Sequence, residues 1–227
     1  AALAGLGGIL GAELMPLEPY YPVKYLVLVL VVVAVGGMGS IAGSLAASLT
    51  LGIIDTASKY LASDWGSLFF FLAMALLLVG LHWAPLTQNM LDQVLSTENL
   101  LLLGILYPLL KLIHEFGHGW AVKRWGGEVR ELGVMFLIFI PTPYVDASAA
   151  GFFKDKRQRM LVGFAGMQVE LLIAAIATFV WVTVEPGLVR AIAYNLMIIA
   201  GISAVLFNGN PLLRFDAYHI LADWLEM

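Results

Sequence analysis

The chain has no cysteine. Disulfides and thiolate metal sites are therefore excluded, any metal must be held by histidine and carboxylate, and the redox compartment cannot be read. Charge is also scarce: 12% of the 227 residues are Asp, Glu, Lys or Arg, against about 25% in soluble chains. Hydrophobic residues make up 61%. That is more apolar surface than one small core buries, so much of the chain is solvated by lipid. Twelve Lys and Arg against sixteen Asp and Glu leave a net charge of -4 with no concentrated basic face, which excludes nucleic acid as a partner, and the composition excludes disorder. The partners left by composition are lipid, peptide or small molecules. No initiator Met and no basic region precede the first apolar stretch, so the chain reads as an excerpt of a longer product. Internal repeats, low-complexity segments and the alternation of a β-barrel are all missing.

A spanning helix needs about 20 apolar residues. Residues 23–57 are too long for one straight span, and the small residues from Gly36 to Ser44 supply the break, giving two helices or a re-entrant element. Another span runs over 68–81 and stops at Trp83 and Pro85. The polar stretch 86–98 is the linker between two halves. Residues 100–122 form a further span, unusual because Lys111, His114, Glu115 and His118 lie inside it; ionisable groups in a span are costly and need a reason. The apolar piece 132–147 carries prolines 141 and 143 and is flanked by basic patches, Lys123, Arg124 and Arg130 on one side and Lys154, Lys156, Arg157 and Arg159 on the other. If both patches stay on the cytoplasmic side, 132–153 is a re-entrant hairpin, for which the run GVMFLIFI suggests β structure. Spans over 160–184 and 188–207 follow. The fold class is thus mainly α, a polytopic transmembrane helical protein with a short re-entrant hairpin.

The chemistry is concentrated in His114-Glu115-Phe116-Gly117-His118. Histidines at i and i+4 stack on one helix face, which suits two ligands of one zinc ion, and Glu115 beside them is a candidate base. A catalytic zinc takes three protein ligands and keeps one position for water. Asp146, Glu170 and Asp216 compete for the third place. Asp216 is the choice here, because it ends the polar motif Asn208-Gly209-Asn210-Pro211-Leu212-Leu213-Arg214-Phe215-Asp216 directly after an apolar span, though it also suits a helix N-cap. Glu170, mid-span, suits a supporting role better than a ligand role. Asp146 suits a turn, Lys111 a snorkelling or paired role, and His219 a fourth ligand that would close the site. The run GGMGS lacks the Lys-Ser/Thr of a phosphate loop.

The segments HEFGHGWAVKRWGGEVRELGVMFLIFIPTPYVDASAA, LVGFAGMQVELLIA and FNGNPLLRFDAYHILADWLE resemble the peptide zinc metalloproteases related to site-two proteases, over about 81–227. The resemblance implies a zinc endopeptidase in the lipid bilayer that acts on a peptide or membrane-protein substrate, with His114, His118 and Asp216 as zinc ligands and Glu115 as general base towards a zinc-activated water. Asn208 or Asn210 would orient the substrate backbone or stabilise the oxyanion. An extended substrate held on the hairpin edge is a further expectation, to be broken by proline placed within 134–138. In such families Gly follows the aspartate, whereas here Ala217 does; a left-handed backbone at that point would be strained.

Residues 1–80, above all YLVLVLVVVAVGGMGSIAGSLAASLTLGIIDTASKYL, resemble the C-terminal spans of branched-chain amino acid ABC transporter permeases, with Ala42 where Pro is usual. Two domains are expected: permease-like segments over 1–80 and a metallopeptidase-like core over 81–227. Gly36, Gly37 and Gly39 read as sites of close helix packing. The alternative to a peptidase is an inactive fusion, a scaffold or transport-related membrane protein in which the permease-like part matters. Either way the expected location is multi-pass, in a bacterial cytoplasmic membrane.

Overall fold

The computed structural model describes every residue except 1, 15–17, 38, 62–64, 89, 138, 139 and 227. Ile138 of the expected hairpin therefore lies outside the described residues. The protein is mainly helical, with one small sheet, and divides into two compact units, Ala1–Leu49 and Thr50–Met227.

The first unit holds α1 (Ala2–Leu14), which is not among the expected spans, α2 (Tyr21–Gly36) and the start of α3 (Ile41–Leu61). The break between α2 and α3 falls where the small residues cluster. A Cβ on Gly36 would stand 2.5 Å from the Ser44 nitrogen, and one on Gly43 would overlap the Gly36 carbonyl oxygen, so these two glycines allow the helix ends to meet. Gly37 and Gly39 do something else. Both have open space around them and positive φ, 87° and 85°, so they turn the chain rather than pack it.

The second unit contains α4 (Gly66–Leu81), short α5 (Trp83–Thr87) and α6 (Met90–Leu95), α7 (Thr97–Arg124), β1 (Leu132–Leu137), β2 (Ile140–Val145), α8 (Lys156–Thr183), α9 (Leu188–Ile202) and α10 (Asp216–Leu225). Among the described residues four helices are long and apolar enough to cross a membrane: α3, α7, α8, and α9 with its continuation to Asn208. α4 and the apolar part of α2 are shorter.

The caps explain where α7 and α8 begin. Ser96 Oγ accepts the Asn99 N–H at 3.3 Å, and Asp155 Oδ1 accepts the Arg157 N–H at 2.9 Å. Lys123 and Arg124 in the last turn of α7 complement its dipole. The linker expected at 86–98 is therefore two short helices followed by a capped start. α8 packs along both α7 and α9. One apolar cluster, around Trp181, Tyr194 and Met197, joins α8 to α9 and α5; another, around Val122, Val162 and Ala165, joins α7 to α8.

The hairpin is antiparallel, with Leu132 opposite Val145 and Leu137 opposite Ile140. The Asp146 N–H donates to the Glu131 carbonyl at 2.9 Å. That fixes the alternation: residues 142 and 144 direct their N–H sites to β1, while 141, 143 and 145 direct theirs outward. Both prolines stand where the ladder needs no donor, which is why β2 tolerates them.

Candidate metal centre

α7 presents His114 and His118 one turn apart towards α8, both buried. Their Nε2 atoms face each other at 3.1 Å. Asp216, in the first turn of α10, brings Oδ2 to 3.3 Å from His114 Nε2 and Oδ1 to 3.4 Å from His118 Nε2. These three side chains form the metal-ligand group found among the described residues, their donor atoms all within 4.8 Å of one another. His219 faces the adjoining cavity without joining that group.

The donor set fits a metal ion on its own geometry. His118 Nδ1 lies 2.7 Å from the Val162 carbonyl. A carbonyl only accepts, so Nδ1 carries the proton and Nε2 of the neutral ring is a lone pair aimed at His114. With its proton on Nε2, His114 donates to His118 across this 3.1 Å contact; with its proton on Nδ1, both rings and the carboxylate turn lone pairs to one point, where a cation fits. Asp216 Oδ2 and His114 Nδ1 are buried with no aligned hydrogen-bond partner. Each imidazole faces a different oxygen of the Asp216 carboxylate, at 3.3 and 3.4 Å, so the carboxylate straddles the two rings.

Two glycines that sequence reasoning passed over make the arrangement possible. A Cβ on Gly166 would overlap His118 Nε2 and stand 2.5 Å from His114 Nε2; one on Gly117 would meet the Ala165 carbonyl oxygen at 2.9 Å. α8 can thus lie against the histidines only because Gly166 has no side chain. The small-residue run Ala165-Gly166 beside the HExxH helix was the available signal.

Behind His114 lies a buried polar network. Glu170 on α8 is fully buried, and its Oε1 is 3.1 Å from His114 Nδ1, off the hydrogen-bond axis. The same oxygen accepts from Lys111 Nζ at 2.8 Å and Ser203 Oγ at 3.0 Å, while Oε2 accepts from Asn208 Nδ2 at 3.0 Å. Ser203 and Asn208 are the first and last residues of a π-helical turn, Ser203–Asn208, that continues α9. Such a turn re-aims side chains at functional sites. Lys111 is therefore paired, and Glu170 supports the site from behind rather than joining the ligand group.

Glu115, half-buried, points the other way, and its Oε2 accepts the Val145 N–H at 3.1 Å. It lines a cavity of about 490 Å³ with His118, Val145, Gly163, Asp216 and His219. Neither Asn208 nor Asn210 is among that cavity's lining residues. Asn210 Oδ1 accepts the Leu212 N–H at 3.0 Å and shapes a turn. Asp146 also serves a turn: hydrogen bonds from Ser148, helped by the charge of Arg130, hold its carboxyl below the usual range.

The concern raised by Ala217 has no structural basis here. Asp216 and Ala217 both lie in α10, and Glu226 is the one described non-glycine residue with positive φ. Phe215, not Asp216, holds the N-cap position of α10.

Long apolar helices around a His-Glu-His-Asp constellation define a membrane metallopeptidase class. The family model of Peptidase family M50 matches residues 100–213, just over half of the chain. The chain belongs to peptidase family M50, whose members are zinc metalloproteases. The match includes His114, Glu115 and His118 but ends three residues before Asp216, whose place at the site rests on geometry alone. No curated protein and no solved structure matches the chain, and the permease-like resemblance of residues 1–80 finds no support in these comparisons.

Proposed function

We propose that the chain is a zinc-dependent endopeptidase of the membrane, with His114, His118 and Asp216 holding the metal and Glu115 as general base. The observation that carries this reading is the convergence of His114, His118 and Asp216, with donor atoms within 4.8 Å of one another, beside Glu115 on the wall of the adjoining cavity. When bound, zinc supplies Lewis acidity at neutral pH.

The chain's own residues supply the rest. Val162 fixes the His118 tautomer, and Glu170 orients the ring of His114 from behind. The Glu115 carboxylate takes the proton of the attacking water and returns it to the leaving amine. The outer edge of β2 faces this side of α7. It offers the carbonyls of Pro141 and Pro143 to the N–H groups of an extended substrate but no N–H at those two positions. A peptide or membrane-protein segment in extended form is thus the substrate class. The basic ends of α7 and α8 lie on the cytoplasmic side of a bacterial membrane.

Metal content of the detergent-solubilised chain tests this. One zinc per chain is expected, lost in His114→Ala and in Asp216→Ala, whereas Glu115→Gln retains the metal and loses hydrolysis. A parent chain that binds no zinc, or a Glu115→Gln chain that still cleaves, overturns the reading.

A further inference from the structure

A second groove of about 700 Å³, lined by none of the metal-centre side chains, runs between α7 and α8. Its mouth carries Arg124, from the last turn of α7, and Arg157, from the first turn of α8. Both are exposed, and neither has an ion-pair partner among the described residues. Their neighbours differ: Lys156 pairs with Glu226 at 2.9 Å and Arg159 with Asp223 at 2.7 Å. Asp155, at the same mouth, is already committed to capping α8 through the Arg157 N–H. The two guanidinium groups therefore share the groove mouth with one carboxylate, Asp155, and leave it a net positive charge.

Trp120 and Trp125 flank this mouth, Trp120 being 78% exposed. Tryptophan at such a level marks the boundary between headgroups and hydrocarbon. Below it the walls carry Phe116 and Ile113 on α7 and Leu161 and Val169 on α8, with Gln168 beside Val169. At 1.5 Å per residue, Ile113 lies about 16 Å below Arg124, and Val169 about 18 Å below Arg157. One leaflet of hydrocarbon is about 15 Å deep. The groove thus has a net positive mouth at the interface and a slot of mainly apolar side chains, with Gln168 among them, that reaches the middle of the bilayer.

We infer that this groove is a binding site for an anionic phospholipid, the phosphate held by Arg124 and Arg157 and one acyl chain lying between α7 and α8. Bidentate guanidinium–phosphate contact suits two arginines better than two lysines, and basic pockets between spanning helices on the cytoplasmic side recruit anionic headgroups. The site is separate from the metal centre and does not depend on peptidase activity.

The test uses the full chain in phosphatidylcholine vesicles containing a minor fraction of either dibrominated phosphatidylglycerol or dibrominated phosphatidylcholine. Quenching of tryptophan fluorescence is read, with Trp120→Phe and Trp125→Phe identifying the groove's share. The brominated phosphatidylglycerol is expected to quench that share at about thirtyfold lower lipid fraction, about fivefold for each arginine. Arg124→Gln/Arg157→Gln should remove the preference, and Lys123→Gln, an exposed neighbour, should leave it intact. Equal quenching by the two lipids in the unaltered chain overturns the proposal, whatever the variants do. Displacement of the quenching by excess inorganic phosphate also overturns it, since the site would then read a soluble anion. No quenching of the groove tryptophans by either lipid means that protein rather than lipid fills the slot, and equally ends it.

Discussion

The Glu115 carboxylate accepts the backbone N–H of Val145 at 3.1 Å, linking the base candidate on α7 to the last residue of β2. Val145 stands at a position whose N–H the ladder does not use, so this donor is free to hold Glu115 without cost to the hairpin.

Val145→Pro removes that donor while keeping the ladder, because 141, 143 and 145 share the outward direction. A hydrogen bond to a charged group contributes about 1.5–3 kcal/mol, so kcat should fall by about tenfold or more with metal content unchanged. Steady-state kinetics beside zinc analysis checks this, and an unchanged kcat would show that Glu115 is positioned by something else. Met135→Pro is the contrast: residue 135 uses its N–H within the ladder opposite Thr142, so the hairpin itself should open.

Gly166→Ala should displace the histidines, since the added Cβ overlaps His118 Nε2. Loss of zinc is the expected result, measured by metal analysis after gel filtration. Gly104→Ala on α7 has open space around it and should retain metal and match or exceed the parent's thermal stability. If both variants keep zinc, α8 does not press on the site as described.

The Lys111–Glu170 pair, 2.8 Å apart with Glu170 fully buried, gives a prediction that separates stability from function. Glu170→Leu alone strands the Lys111 charge and should destabilise by about 3–5 kcal/mol. Lys111→Met/Glu170→Leu should recover most of that stability, yet zinc should still bind roughly 10–100-fold more weakly, because His114 loses the carboxylate behind it. Thermal unfolding and competitive chelator titration read the two effects separately. Parent-like zinc affinity in the double variant would leave Glu170 no positioning role.

The docking of α10 onto α8 should depend on pH. Lys156 holds the Glu226 carboxyl below its ordinary range through a hydrogen bond and its charge. A depressed carboxyl contributes stability above the unfolded-state value and loses it as pH falls through the folded-state value. Protection of α10 amides relative to their intrinsic exchange rates should therefore fall below about pH 4, and Glu226→Gln should flatten that response. Equal pH dependence in parent and variant would remove this contact from the docking of α10.

The sequence alone determined the mainly helical membrane class, because scarce charge and long apolar runs leave no other solvent. It also determined the pairing of His114 with His118, since one helical turn separates them whatever surrounds the helix. The break near Gly36 and the hairpin at 132–145 were legible for the same local reason: small residues and prolines act through their own backbone. The third donor was not local. The polar motif after an apolar span favoured Asp216 over Asp146 and Glu170, but only the folding of α10 against α8 brings its carboxylate to the histidines. The same packing put Glu170 behind His114, paired it with Lys111 and committed Asp146 to a turn. Gly166 belongs there too, because the need for a missing side chain appears only when another helix lies against it. Local sequence fixes a residue's periodicity and backbone freedom, whereas its partner across a helix interface is set by tertiary packing.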